Sequence, residues 1–395
     1  MWKISLCDLR LHPDDHRAVA EALESNWLTM GPRTQAFEQA FALALDPLQP
    51  PAAFAVSNCT VALHMAFVAL GIGPDDEVIV PSLTFVATAN AALYTGATVV
   101  LADVSAPTDL TLSVDDVLAK ITPKTRAVVP VHYAGQPCDM QRLVSECQRR
   151  GIAIVEDVAH APLADALLDG GHTQALGTIG DIGCFSFFSN KNMTTGEGGM
   201  VTTRNPQLAD KLRLLRSHGM TTLTLDRHRG HAYSYDVVEL GNNYRMDELR
   251  AALGTSQLSR LPDNNRKRCD GLAHYQRLLA PIIGLQVPFA DRLPQGRSAP
   301  HIMPVLLPVG VDRQQVQEKM KDVGIQTSVH YPPIHTFTLH KNCERVRKDH
   351  LPITDAVAPR LLTLPLYPEL SDTDIEFVCR KLAAILQSVP TTEAR

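Results

Sequence analysis

Apolar and polar positions follow two rhythms in the first half of the chain. Residues 16–25 (HRAVAEALES) and 35–45 (QAFEQAFALAL) carry the pattern of helices with one buried face. Between them, NWLTMGPRT contains Gly31-Pro32 and predicts a turn. From 52 to 203 short apolar runs take over: EVIVPS, ATVVLADV, TRAVVPVHY, GIAIVEDVA, IGCFSFF and GMVTTR. They alternate with helical stretches such as TVALHMAFVALG, VATANAALYTG and DMQRLVSECQRRG. Short β-branched runs separated by helices predict a largely parallel sheet, buried on both faces. Ligands of such sheets bind at the carboxyl ends of the strands.

The second half reads differently. Residues 220–236 (MTTLTLDRHRGHAYSYD) form a polar, basic excursion that contains Arg227 and Arg229. A solvated loop and a lid over an anionic or polyhydroxylated substrate both fit it. Residues 246–279 are helical through MDELRAALGTSQLSRL, with a break expected at Pro262-Asp263. After about 283, strand-like IMPVLLPV and IQTSVHY, helical QQVQEKMKDVG and a closing helix DTDIEFVCRKLAAILQSV predict a second, smaller α/β unit. The expected division is a large domain over 1–260, with a linking helix and small domain over 261–395.

Composition narrows the function. The 395 residues carry 37 basic and 42 acidic side chains, a net charge of -5. That balance gives no general attraction to nucleic acid or to anionic membranes, and neither is expected as a partner. No apolar run reaches the roughly 20 residues that span a bilayer. Asp8, Asp14 and Asp15 stand where a signal peptide needs an apolar stretch, so the cytoplasm is the expected compartment. The 8 cysteines form no CxxC pair, and neither a metal site, zinc included, nor a redox motif is expected.

Three segments carry chemistry. In CFSFFSNKNMTTGEGGMV (184–201), Lys191 sits in a polar turn between two apolar strands, with Gly196, Gly198 and Gly199 beyond it. A lysine in a turn is usually a solvated charge. Here hydroxyls and amides, Ser186 among them, surround it at short range, and the glycines allow backbone that a Cβ forbids. In VEDVAHA (155–161), Asp157 stands at the carboxyl end of a strand, as a helix cap or as a cofactor ligand. In SNCTVALHMA (57–66), Cys59 and Thr60 lie at a predicted helix N-terminus, suited to a plain cap or to a phosphate. In PSLTFVATANA (81–91), Phe85 follows a strand, where its ring can join the core or cover a flat cofactor.

Together with PVHYAGQPCDM, GNNYRMDELRAALG, VHYPPIH and LPLYPEL, these segments resemble the DegT/DnrJ/StrS aminotransferases over nearly the whole chain. That family has the aspartate aminotransferase (type I) fold: a large pyridoxal-phosphate domain, whose mostly parallel sheet lies between helices, and a smaller C-terminal α/β domain. The resemblance implies pyridoxal 5'-phosphate (PLP) as cofactor, with Lys191 carrying it as a Schiff base. It implies that Asp157 pairs with the pyridine nitrogen. Ser186 and the amides of Cys59 and Thr60 would hold the phosphate, and Phe85 would stack on the ring. His160 would sit near the phenolic oxygen. Asn243 would reach the phosphate of a neighbouring subunit in a homodimer with shared sites. His330 and Tyr331, with Arg227 and Arg229, are the candidate substrate residues. Cys59 departs from the Gly or Ala usual at its position.

The implied reaction moves an amino group from an amino acid, with L-glutamate the expected donor, to a keto-sugar, expected to be nucleotide-linked. A cyclitol ketone as acceptor, an aromatising aminohydroxybenzoate-type synthase and a non-catalytic sensor are the alternatives. Lys191 argues against the family's dehydratases, which carry His there.

Overall fold

The computed structural model describes residues 2–222, 230, 234–292 and 296–390. Helices Pro13–Glu24 and Pro32–Leu45 open the chain. Each carries proline in its first turn, where a missing N–H breaks no helical hydrogen bond. The start of the second helix is fixed from far along the chain. Glu248 accepts from the N–H groups of Gly31 (2.8 Å), Arg33 (2.8 Å) and Thr34 (2.9 Å), and from the Thr34 hydroxyl (2.6 Å). One buried carboxylate thereby satisfies the orphan donors of a helix N-terminus and matches its dipole.

Eight strands form one sheet in the order 52–56, 199–203, 182–186, 153–157, 125–128, 77–81, 98–102 and 346–347. Gly199–Thr203 runs antiparallel to both its neighbours, and the remaining pairings are parallel. Alternate residues of the central strands fall in two different cores. Ile79, Val100, Val128 and Ile154 pack on one side, and Val78, Val99, Ala127 and Val155 on the other. The sheet is therefore buried on both faces, as its near-continuous apolar runs predict. On the first side Phe41 packs edge-on against Phe185 and Phe187, with ring centroids at 4.9 and 5.5 Å. This ties the second helix to the strand that leads to Lys191.

The smaller unit is built on the antiparallel pair Met303–Leu306 and Leu361–Leu364, with helices Arg313–Asp322 and Asp372–Ser388. It has its own core, which includes Val305, Val316, Leu362 and Val378. Ile4 joins that core and pairs with Ile325, so the start of the chain, assigned to the large domain by sequence, contributes to the small unit.

The break expected at Pro262-Asp263 is absent. One helix runs from Glu248 to Leu279 through Pro262. Proline in a helix interior costs about 3 kcal/mol. Burial of Leu258, Leu261, Tyr275 and Leu279 along the same helix offsets that cost, while Pro262 itself faces solvent. The expected division near 260 falls inside this helix.

The Glu248 cap generates a stability prediction. Glu248→Ala leaves buried donors at 31, 33 and 34 without acceptors, so urea unfolding should show a loss of roughly 2–5 kcal/mol. A loss under about 0.5 kcal/mol would show that the carboxylate contributes nothing.

Candidate active site

The carboxyl ends of the parallel strands gather the side chains singled out by sequence. Strand Ala153–Asp157 pairs with Ile182–Ser186 in a register that sets Asp157 beside Cys184. The chain leaving Ser186 turns through Lys191 and returns as Gly199–Thr203, with Gly199 opposite both Ser186 and Val56. Gly199 has to be glycine. A Cβ there would lie 2.7 Å from the backbone carbon of Asn58 and 2.8 Å from the Phe185 oxygen. The close approach sets the Lys191 turn against the start of helix Cys59–Ala69.

That helix start has the form of an anion site. The Asn58 side chain caps it by accepting from the Val61 N–H at 3.0 Å. The N–H groups of Cys59 and Thr60 have no hydrogen-bond partner among the described residues. Free amides at a positive dipole end suit a phosphate. Burial pushes the Cys59 thiol well up, so it stays protonated and adds no charge to the site. Ser186 is buried at the adjoining strand end.

Asp157 is buried, with both carboxylate oxygens engaged. Oδ1 accepts from the Ala159 N–H at 3.1 Å and Oδ2 from the Thr88 hydroxyl at 2.9 Å. Burial raises its pKa. The two hydrogen bonds and the charge of Lys191 oppose that rise. Lys191 is half-buried, and its amine forms no hydrogen bond or ion pair among the described residues. Burial pushes it down to about 8, against the pull of Asp157 and Cys59. The cleft thus holds an amine that is part-neutral near physiological pH beside a fixed carboxylate.

The opposite wall is aromatic. His160 Nδ1 accepts from the Ala134 N–H at 3.3 Å, so the proton of the neutral ring sits on Nε2, which donates to the Tyr331 hydroxyl oxygen at 2.8 Å. Burial holds His160 well below its usual pKa. The Tyr331 hydroxyl keeps its own hydrogen for a ligand. Phe85, 55% exposed, lies with its ring centroid 5.7 Å from that of Tyr331. His330 bonds Thr363 Oγ1 at 3.1 Å, and burial pushes it down to about 4.

Asn243 is not brought to this cleft by a hydrogen bond. It lies exposed, and its segment pairs with Ser217. Arg227 and Arg229 lie outside the described residues. Thr88 was missed by sequence reasoning, although it stands in the segment PSLTFVATANA beside Phe85. Among the described residues no His, Cys, Asp or Glu cluster could hold a metal ion.

The cleft brings together the half-buried Lys191 amine, the Asp157 carboxylate fixed at a neighbouring strand end and a helix N-terminus whose Cys59 and Thr60 amides have no partner among the described residues. A model of the DegT/DnrJ/EryC1/StrS aminotransferase family matches residues 10–383. Spore coat polysaccharide biosynthesis protein SpsC of Bacillus subtilis (strain 168) is 39% identical over 381 residues, 95% of each chain. The aminotransferase TlmJ from Streptoalloteichus hindustanus superposes with a TM-score of 0.87 at 34% identity, covering 98% of this chain and 99% of that one. Spr1654 of Streptococcus pneumoniae, described as a putative sugar aminotransferase and solved in its PMP form, gives a TM-score of 0.88 at 28% identity, over 97% and 98% of the two chains. The chain belongs to the DegT/DnrJ/EryC1/StrS aminotransferase family and is a PLP-dependent aminotransferase.

Lys191 yields a pH prediction. Only the neutral amine is nucleophilic, and its fraction rises as pH passes upward through the pKa. Acylation of the cofactor-free protein at Lys191, followed by mass spectrometry, should accelerate up to about pH 8 and level off above it. A rate still climbing steeply at pH 10, as for an ordinary lysine near 10.4, would contradict the burial argument.

Proposed function

We propose that the protein transfers an amino group from L-glutamate to a keto-sugar carried on a nucleotide. The observation that carries the reading is the juxtaposition of Lys191, Asp157 and the free amides of Cys59 and Thr60 in one cleft. The family and the sugar aminotransferases among its relatives support the sugar as acceptor.

The cleft residues fit the cofactor's groups. The amides of Cys59 and Thr60, with Ser186, would hold the phosphate, and Phe85 would cover the ring. Asp157 would stand at the pyridine nitrogen and favour its protonated form, because an adjacent anion favours the cation. So protonated, the bound cofactor draws electrons from the donor's α-carbon. Lys191 Nζ, lowered to about 8, would carry the proton from the donor's α-carbon to the cofactor's carbon, and in the second half-reaction from there to the acceptor's carbon. His160 holds Tyr331, whose remaining hydrogen would be offered to the cofactor's oxygen or to the sugar, and His330, its ring neighbour, would face the acceptor. Arg227 and Arg229 are assigned to the acceptor's phosphates on charge alone.

A homodimer completes the site in this reading, with Asn243 donated across the interface. Its support is the exposed position of Asn243 beside Val237, Val238 and Leu240, apolar side chains exposed by 56, 55 and 89%.

Asp157→Asn tests the assignment. The variant should fold, and the half-reaction with L-glutamate should slow by roughly 10²–10⁴-fold in stopped-flow absorbance. Wild-type rates would reduce Asp157 to a structural cap. A panel of nucleotide-linked keto-hexoses and free cyclitol ketones, mixed with the aminated enzyme, tests the acceptor. Turnover of cyclitol ketones alone would overturn the nucleotide-sugar reading.

A further inference from the structure

The Lys191 amine has no hydrogen bond among the described residues, so its place depends on how the surrounding turn is held. Lys191 itself is tied through its backbone, by its N–H to the Phe188 oxygen at 2.9 Å. The hydroxyls of Thr194 and Thr195 bond locally, to the oxygens of Phe187 and Glu197. Met193 packs in the core beneath, but apolar contact carries no direction. Asn192 alone in the turn sends side-chain hydrogen bonds to distant segments.

Asn192 is 4% exposed. Its Nδ2 donates to Asn265 Oδ1 on the long helix at 2.9 Å, and to the backbone oxygens of Ala299 and Pro300, both at 3.3 Å. Asn265 Nδ2 donates in turn to the Pro162 oxygen at 3.1 Å, just beyond His160. Asn192 Oδ1 lies 3.0 Å from His301 Nδ1. An amide oxygen only accepts, so His301 carries its ring proton on Nδ1. Burial holds His301 well below its usual pKa, and the ring is neutral. That ring is held on two further sides. The His301 N–H donates to the Ala134 oxygen at 3.1 Å, and the His160 ring lies against it with centroids 4.4 Å apart. His301 stands two residues before strand Met303–Leu306 of the smaller unit. The residue after Lys191 is thereby bonded to the crossover between the two units.

We propose that the Asn192–His301 hydrogen bond positions Lys191, holding the turn so that the amine stays beside Asp157 and out of water. Asn192 and His301 are positioning residues that act through Lys191. The inference rests on the reading of Lys191 as the cofactor lysine. Five groups interact with the amine's charge. Asp157 and Cys59 pull its pKa up, and His160, His301 and His330 are buried rings that its charge keeps low. With the rings neutral, the amine's titration reports how well water is excluded.

Acylation of the cofactor-free protein at Lys191, read by mass spectrometry across pH, tests the tie without turnover. His301→Phe keeps a ring against His160 and deletes the donor. With the turn released, water reaches the amine. The midpoint should rise from about 8 toward the ordinary lysine value of about 10.4. Asn192→Ala deletes the acceptor and should do the same. The double variant should shift no further than either single one, because both remove one bond. His301→Asn, whose amide can donate from the place of Nδ1, should restore the wild-type midpoint. In the PLP-loaded enzyme, His301→Phe should slow the half-reaction with L-glutamate by roughly tenfold to a hundredfold, the cost of a displacement of about 1 Å. The L-glutamate concentration giving half the maximal rate should change little. An unmoved midpoint in folded His301→Phe and Asn192→Ala overturns the proposal, as does an equal shift in His301→Asn. Failure of both deletion variants to fold also overturns it, since the bond is then a plain structural tie. Should the midpoint stay while PLP sits on Lys191, the tie falls and the cofactor reading stands. Should the midpoint move as expected while PLP sits on another lysine, the tie stands and the cofactor reading falls.

Discussion

Everything in the cleft depends on holding an amine and a carboxylate together away from water. Burial disfavours both charged forms; the Ala159 amide and the Thr88 hydroxyl chiefly compensate Asp157, and Asp157 chiefly compensates Lys191. The sheet makes this tolerable by fixing Asp157 from two sides, through the Ala159 amide and the Thr88 hydroxyl, before any ligand arrives. Lys191 has no hydrogen bond among the described residues, so only the charges of Asp157 and Cys59 oppose its burial, which brings it down to about 8. An amine at that value supplies neutral and protonated forms over the same pH range, as a group that takes and returns a proton requires.

The neighbouring acid shows how strand geometry divides labour. Glu156 and Asp157 are adjacent, so their side chains leave opposite faces of the sheet. Glu156 turns inward and accepts from the N–H groups of Gly177 (2.8 Å), Ile179 (2.9 Å) and Gly180 (2.7 Å), and from His132 at 3.1 Å. The Cys138 N–H donates to His132 Nδ1, which places the ring proton on the Nε2 that faces Glu156. This buried clamp pins the loop before strand Ile182–Ser186, and so the strand that leads into the Lys191 turn. Glu156 is taken up by the loop it clamps, while Asp157, held by two hydrogen bonds, stands at the strand's carboxyl end beside Lys191.

Much of this was readable from residues alone. The alternation of β-branched runs and helices gave the parallel sheet, because strands buried on both faces cannot hide their apolar character. Lys191 and Asp157 stood out because each follows such a run, where ligands bind. Thr88 and Glu248 did not, since their partners lie 69 and more than 200 residues away and the pairing exists only once the sheet is assembled. Pro262 misled because the local rule for proline yields to the apolar face that the long helix buries on either side of it.

The most direct test of the central claim is chemical. Borohydride reduction of the PLP-loaded protein, followed by proteolysis and mass spectrometry, should place the reduced cofactor on the peptide containing Lys191 and on no other lysine. Attachment to a different lysine, or none in a protein that has bound PLP, would contradict the account of the cleft.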